Sequence, residues 1–339
     1  MSFSFRLASL NLLNFAAPPH ASYEALNILD QQQWQHKWDW TASMLEQLQA
    51  DIIGFQEVFS IEQLQTLAGQ HELGHFACVD TPNLEHDYIF SDPVVALASR
   101  YPIISAEAVQ PSPQLLEQLG LSSFGFSRQV LRSIVDVPHL GRMRIYVLHL
   151  KSGRSMLKDE LKLVETPSHD WFIAQQLGRS LSQVQRQHEA LVLLADFAKQ
   201  QADCELPTAI IGDFNDHELS PVLETFAKGK RPPFIGIEHK HLSHQIHSYA
   251  QQISLHSMFD ISELPSHPRP THYWGPHGQR IDHILLSQEF VSSSDFALAG
   301  VTNAMVFDRH LLNNQFERDR QCSDHAAICA QLQVREVSE

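Results

Sequence analysis

The chain has 339 residues, of which 43% are hydrophobic and 19% charged, with a formal net charge of -15. This balance excludes a disordered or fibrous chain and suits a globular protein with a core large enough for one α/β unit. It also argues against a broad basic surface for gripping long nucleic acid, so any basic patch must be local.

Residues 5–14 read as a first core strand that ends in the amides of Asn11 and Asn14. Residues 31–49 carry a helical stripe of Trp34, Trp38, Met44, Leu45 and Leu48, which suits packing on a sheet. In residues 51–57, Ile52, Ile53 and Phe55 form a buried strand that runs into Gln56 and Glu57. A carboxylate there is costly unless it is paired, hydrogen-bonded, solvated or bound to a metal. A short helix over 60–69 and an apolar strand over 94–99 follow, then a surface loop with one helical turn over 111–123. Residues 127–137 and 141–150 read as an antiparallel hairpin around Pro138. His149 and Lys151 emerge from its second strand and offer a proton and a positive charge to a phosphate.

Residues 153–170 show no period and read as an irregular insertion, a candidate lid or substrate-contacting loop. Helical spacing is strongest over 171–199, with Leu177, Leu181, Val184, Ala190, Leu191, Leu194 and Phe197 as the apolar positions, and Arg186 and Glu189 among them. The strand over 208–213 follows, ending Gly212-Asp213-Phe214-Asn215. In extended chain, Asp213 and Asn215 project to the same side. Such a pair can orient or deprotonate a water and donate to a phosphoryl oxygen, although it also suits a strand followed by an Asx turn. A short helix with Ser220 as its cap and Pro221 at its first position comes next.

Residues 229–257 form a second insertion that is rich in histidine (His239, His241, His244, His247, His256) without a compact ligand spacing, and read as an exposed loop. In the strand around Asp282, the neighbours Ile281, Ile284 and Leu285 bury the acid, so it needs a partner such as a histidine. Asp324-His325, at the entrance to the last strand, supplies one. No apolar run is long enough to span a bilayer, and no basic region with a following hydrophobic stretch marks a signal peptide. The four cysteines are scattered, so a reducing, cytoplasmic setting is expected.

Six segments carry polar groups at strand ends in a specific order: Ser9-Leu-Asn11, Gly54-Phe-Gln-Glu57, Leu148-His-Leu-Lys-Ser152, Gly212-Asp-Phe-Asn215, Arg280-Ile-Asp282 and Ser323-Asp-His325. In these the chain resembles the endonuclease/exonuclease/phosphatase superfamily, the group of the pancreatic-type deoxyribonucleases. The resemblance implies a single domain folded as a four-layer α/β/β/α sandwich, with two mixed sheets face to face and the site at their edges. It implies a divalent ion, Mg2+ or Mn2+, at Glu57 with Asn11 and Asp324 close by. It implies Asp213 acting on the water, Asn215 holding phosphate, and His325, paired to Asp282, as base or transition-state stabiliser. His149 would give a proton to the leaving oxygen. Lys151 and Arg128, with Asn11, would face the phosphate. The number of ions and the acid that orients His149 stay open.

The activity this implies is a metal-dependent phosphodiesterase, with nuclease as the leading subtype and DNA or RNA among the candidate substrates. A phosphatase or phospholipase-C-type hydrolase is the alternative within catalysis, and a non-catalytic binding module the alternative outside it. No obligate protein partner is implied.

Overall fold

A computed structural model describes residues 3–157, 168–226, 236, 241–264, 269–312 and 321–336. Two six-stranded mixed sheets form its centre. In order across the first sheet stand β16 (Ala299–Phe307), β17 (Ala327–Val334), β1 (Ser4–Phe15), β3 (Ile52–Val58), β7 (Val94–Ser99) and β4 (His75–Ala77). Across the second stand β12 (His256–Ser257), β15 (Asp282–Leu286), β11 (Thr208–Asp213), β10 (Gly141–His149), β9 (Leu131–Val137) and β8 (Ile103–Ala108). Each sheet has one parallel pair, β1 with β3 and β10 with β11, flanked by antiparallel neighbours. A parallel pair needs a long crossover. Helix α1 (Gln31–Leu48) supplies the first, and α4 (His169–Asp203) the second.

The central strands are apolar on both faces because both faces are covered. Leu7, Ile52 and Leu97 from one sheet meet Val147, Ile211 and Ile284 from the other in the inter-sheet core. Alternate residues of the first sheet, such as Leu10, Ile53 and Ala98, face α1 and α2 (Ile61–Gln70). Tyr146, Ile210 and Leu285 of the second face α4 and α5 (Pro221–Phe226). Four layers result, with helices outside, as the sequence implied. At Gly54 the sheets come so close that a Cβ would lie 2.8 Å from Ile211 Cδ1.

The remaining elements lie around this sandwich. They are β2 (Ala21–Ser22), β5 (Asn83–Glu85) and β6 (Ile89–Asp92) in one small sheet, and β13 (His272–Trp274) with β14 (His277–Gln279) in another. Helices α3 (Pro113–Gln118), α6 (Ser243–Gln252) and α7 (Met258–Ile261) complete the description. Among the described residues no helix is long and apolar enough to cross a membrane.

Several expectations need correction. The strand expected from residue 127 begins at Leu131, because the backbone at Ser127 turns aside to donate to Glu189. The histidine-rich segment expected as a loop contains helix α6. His239 lies outside the described residues, as do the side chains of His244 and His247. Of the first insertion, 158–167 lie outside them too, and His169 already opens α4.

The largest correction concerns the face that α4 turns inward. Leu177, Leu181 and Val184 are 52%, 40% and 52% exposed. Gly178, Ser182, Arg186 and Glu189 are buried instead. This half of the helix covers backbone rather than apolar sheet: Gly178 O accepts from Met156 N and Ser182 Oγ donates to Arg154 O. Small and polar side chains serve such a surface, so the periodic apolar residues face out.

Candidate active site

The polar tips gather where the C-terminal ends of the two parallel pairs meet across the seam between the sheets. At the end of β1 the chain leaves regular register after Asn11, and Leu13 and Asn14 take left-handed backbone with φ of 49° and 57°. Glu57 on β3 is also left-handed, at φ 58°. For side chains such as Leu and Glu this conformation costs about 1–2 kcal/mol each, and hydrogen bonds offset it. Asn14 N donates to Glu57 Oε2 at 3.0 Å, and Leu13 N to Asn11 Oδ1 at 3.0 Å. Asn11 Nδ2 lies 3.4 Å from Glu57 Oε1 and 3.1 Å from Asp213 Oδ2, and so joins the two sheets.

Lys37 from α1 braces the same turn, its buried ammonium donating to Leu13 O at 2.9 Å. Burial lowers this group to about 8, against the pull of Glu57, Cys322 and Asp324. Lys37 escaped the sequence reading, though a charge on an otherwise apolar helical stripe was the available signal.

On the second sheet His149 and Asp213 are register partners, with Nε2 and Oδ2 3.4 Å apart. Asp213 Oδ1 accepts from Asn215 N at 2.8 Å, and the Asn215 amide donates to Leu150 O at 3.0 Å. The expected pairing of Asp282 with His325 is present: Nδ1 and Oδ2 are 2.9 Å apart. His325 Nε2 then faces Asp213 Oδ2 at 3.8 Å. Burial alone would lower the His325 imidazole, but the carboxylates of Asp282 and Asp213 hold it well above its ordinary value. Burial raises the Asp213 carboxyl to about 7, with His325 opposing the rise. At neutral pH the pair therefore presents an imidazolium beside a carboxyl poised to gain or lose a proton. Burial, reinforced by Arg128, His325, Lys151 and Arg154, pushes His149 well below its usual range. Its ring is neutral, and Nδ1 has no hydrogen-bond partner among the described residues, so no acid orients it there.

Arg128, Lys151 and Arg154 surround His149 closely enough to repel its charged form, a local positive patch on an acidic chain. Two buried residues of α4 hold this patch. Glu189 accepts from Ser127 N at 2.7 Å and Lys151 N at 2.6 Å. Arg186 donates to Lys151 O at 2.7 Å and to Asp216 Oδ2 at 3.2 Å. Replacing Glu189 by Ala strands two backbone N–H groups, at about 1–3 kcal/mol each. The expected result is a thermal midpoint several degrees lower and a raised KM for phosphoester substrates, read by calorimetry and steady-state kinetics.

Asp324 is half-exposed and lies 3.7 Å from His272 Nε2 and 3.8 Å from His325 Nε2. Burial opposes its ionisation, but the two histidines hold it at about 2. His272 was not singled out by the sequence reading. Ser323 opens the last of the six segments, and its hydroxyl donates to Asn11 O at 2.7 Å and accepts from His325 N at 3.0 Å.

His283, beside Asp282, points to the opposite face, packs edge-on against Phe214 and bonds Asp216 O at 3.0 Å. Burial lowers it from 6.5 to about 4. The unfolded chain therefore binds this proton more readily, and stability is lost as the pH falls from 6.5 towards 4. The full effect is about 3 kcal/mol, of which about 2 should be gone by pH 5. Urea unfolding of the wild type at pH 7 and pH 5 should show that loss, and His283→Gln should remove most of it.

A family model for the endonuclease/exonuclease/phosphatase family matches residues 39–325. The chain belongs to this family. Members of the endonuclease/exonuclease/phosphatase family are typically phosphoester hydrolases, generally dependent on a divalent metal. Among solved structures it resembles the human Nocturnin catalytic domain with bound sulfate anion, at 15% identity and TM-score 0.57, over 99% of this chain and 97% of that one. A family protein from Bacteroides vulgatus matches at 14% and 0.56, over 98% and 100%. Truncated Caenorhabditis elegans TDP2 matches at 12% and 0.55, over 97% of each chain. At these identities the likeness is one of fold. No curated protein matches the chain.

The residues present fit the family's hard divalent ion. Glu57 offers a carboxylate, and the adjoining Asn14 carries a buried side-chain oxygen with no hydrogen-bond partner among the described residues. Oxygen donors of this kind suit Mg2+ or Mn2+.

Proposed function

We propose that the chain is a one-domain, divalent-metal-dependent phosphodiesterase, with nuclease as the leading subtype. One observation carries the reading: a carboxylate, Asp213, stands between the His325–Asp282 pair and the amide of Asn11, with Arg128, Lys151 and Arg154 on the side of His149. Asp213 would orient an attacking water and accept its proton. The His325 imidazolium, held in place by Asp282, would stabilise the charge that grows on the phosphorane oxygens. Asn215 keeps one amide N–H on Leu150 O and would turn the other to the phosphoryl group. His149, being neutral, would offer an N–H to the leaving side as a hydrogen-bond donor. Glu57, with Asn11 beside it and Asp324 as a further carboxylate, would hold the Mg2+ or Mn2+ ion, which supplies Lewis-acid polarisation of the phosphoryl oxygen when bound. The scattered placement of the four cysteines agrees with a reducing, cytoplasmic setting for this reading.

The net charge of -15 favours a second reading, a small or lipid phosphoester in place of long nucleic acid. Hydrolysis of bis-p-nitrophenyl phosphate and p-nitrophenyl phosphate, with Mg2+ or Mn2+ and with EDTA, tests the class. The expected result is metal-dependent turnover that favours the diester. Turnover of the monoester alone would shift the reading to a phosphatase, and no turnover with any ion would leave a binding module. A panel of plasmid DNA, single-stranded DNA, RNA, sphingomyelin and inositol phosphates then separates the substrates.

A further inference from the structure

A nitrogen-rich cluster joins His272, which the hydrolytic reading does not use, to Asp324 and His325, which it does. His272 Nε2 is 3.7 Å from Asp324 Oδ2, His325 Nε2 is 3.8 Å from Asp324 Oδ1, and the two imidazole rings are 4.9 Å apart between centroids. One ligand atom from each of the three residues lies within 4.8 Å of the others. With metal–nitrogen and metal–oxygen bonds of about 2.0–2.1 Å, the edge of a tetrahedral site is about 3.3 Å. Shifts of about 1 Å at the side-chain tips thus bring the three atoms to bonding distance of one ion.

Backbone holds the donors together. His272 and His325 form a bridge pair, and Ala326 N donates to Thr271 O at 2.7 Å. The His325 ring is further fixed through Nδ1 by Asp282, the carboxylate–imidazole arrangement that orients metal-bound histidines in general. Asp324 is 51% exposed at its side chain, which leaves an entry path and a fourth position for water. Asp213 Oδ2, at 3.8 Å from His325 Nε2, adds negative charge next to the site.

Two imidazoles and one carboxylate select a borderline ion over a hard one, because imidazole nitrogen suits Zn2+ and Co2+ whereas Mg2+ keeps to oxygen. We propose that His272, Asp324 and His325 form a cation site that shares Asp324 with the Mg2+ site and takes Zn2+ or a similar borderline transition ion. Binding stands on this geometry alone. Its consequence rests on the hydrolytic reading above: an ion bound through His325 Nε2, whose proton is released to solvent on binding, and through Asp324 takes both away from the phosphoryl group, so Zn2+ inhibits the Mg2+-supported reaction.

The test uses the full chain, free of any histidine tag, treated with EDTA and desalted. Calorimetric titration with Zn2+ should show one tight equivalent that persists in millimolar Mg2+, and Co2+ should give the visible absorption of a tetrahedral site. His272→Ala should weaken Zn2+ by more than the roughly 10–100-fold that loss of an outer-shell partner costs, and should remove the Co2+ bands. His272→Gln serves the same purpose if the alanine variant folds poorly. His75→Ala, at an exposed position on an edge strand, should change neither. Unaltered Zn2+ affinity and Co2+ absorption in well-folded His272 variants would overturn the site. These readouts contain no substrate, so a failure of the hydrolytic reading leaves them interpretable.

Discussion

Asp213→Asn should lower hydrolysis of bis-p-nitrophenyl phosphate at least about 100-fold while leaving the thermal midpoint close to that of the wild type. The amide keeps the volume of the carboxylate and can still accept from Asn215 N, the bond that shapes the turn after β11. It cannot take a proton from water, and it removes the negative charge that faces His325 Nε2 at 3.8 Å. With that charge gone, one of the two carboxylates that hold the imidazole protonated is missing. Base and charge stabilisation therefore fall together, and Asp213→Asn with His325→Ala should cost less than the product of the two single losses. Steady-state rates for the two single variants and the double variant measure this. Turnover within a few-fold of wild type in Asp213→Asn would rule out the proposed chemistry.

Gly212→Ala should be the most damaging single methyl in the chain. Gly212 has φ 142°, and a Cβ there would lie 2.0 Å from Leu148 O, the backbone of the neighbouring parallel strand. No rotamer relieves a contact with backbone, so β10 and β11 would have to part at the register position that pairs Leu148 with Gly212. The expected loss exceeds about 4–5 kcal/mol, the range in which single changes are exceptional. Insoluble protein, or a thermal midpoint lower by ten degrees or more, is the expected readout. A soluble Gly212→Ala variant of normal stability would mean that the strands do not approach so closely. The same approach sets His149 opposite Asp213 one step further on, so the packing of Gly212 and the geometry of the site have one cause.

Much of this was legible because burial and chemistry conflict openly in the sequence. Asp282 among isoleucine and leucine demanded a partner, and His325 is that partner at 2.9 Å. Asp213 and Asn215 at the end of an apolar strand, and Glu57 at the end of another, marked the strand ends that converge. What stayed hidden depends on contacts between segments far apart in the chain. Periodicity grouped Leu177, Leu181 and Val184 on one face of α4 but could not say which face turns inward. Arg186 and Glu189 decide that, through backbone groups at Ser127 and Lys151 that no local pattern displays. Lys37 is buried because Leu13 turns its carbonyl towards α1, and His272 meets Asp324 only through the bridge with His325.

Each half of the sandwich repeats one plan, two parallel strands joined by a long helix. A single amide, that of Asn11, reaches from Glu57 in one half to Asp213 in the other. Neither half can therefore serve as a lesser catalyst by itself, since the reacting groups become neighbours only once both are built and docked. Variation that changes what the protein acts on is free to accumulate in the outer connections, whereas a change that slides one half against the other by an ångström removes the centre altogether.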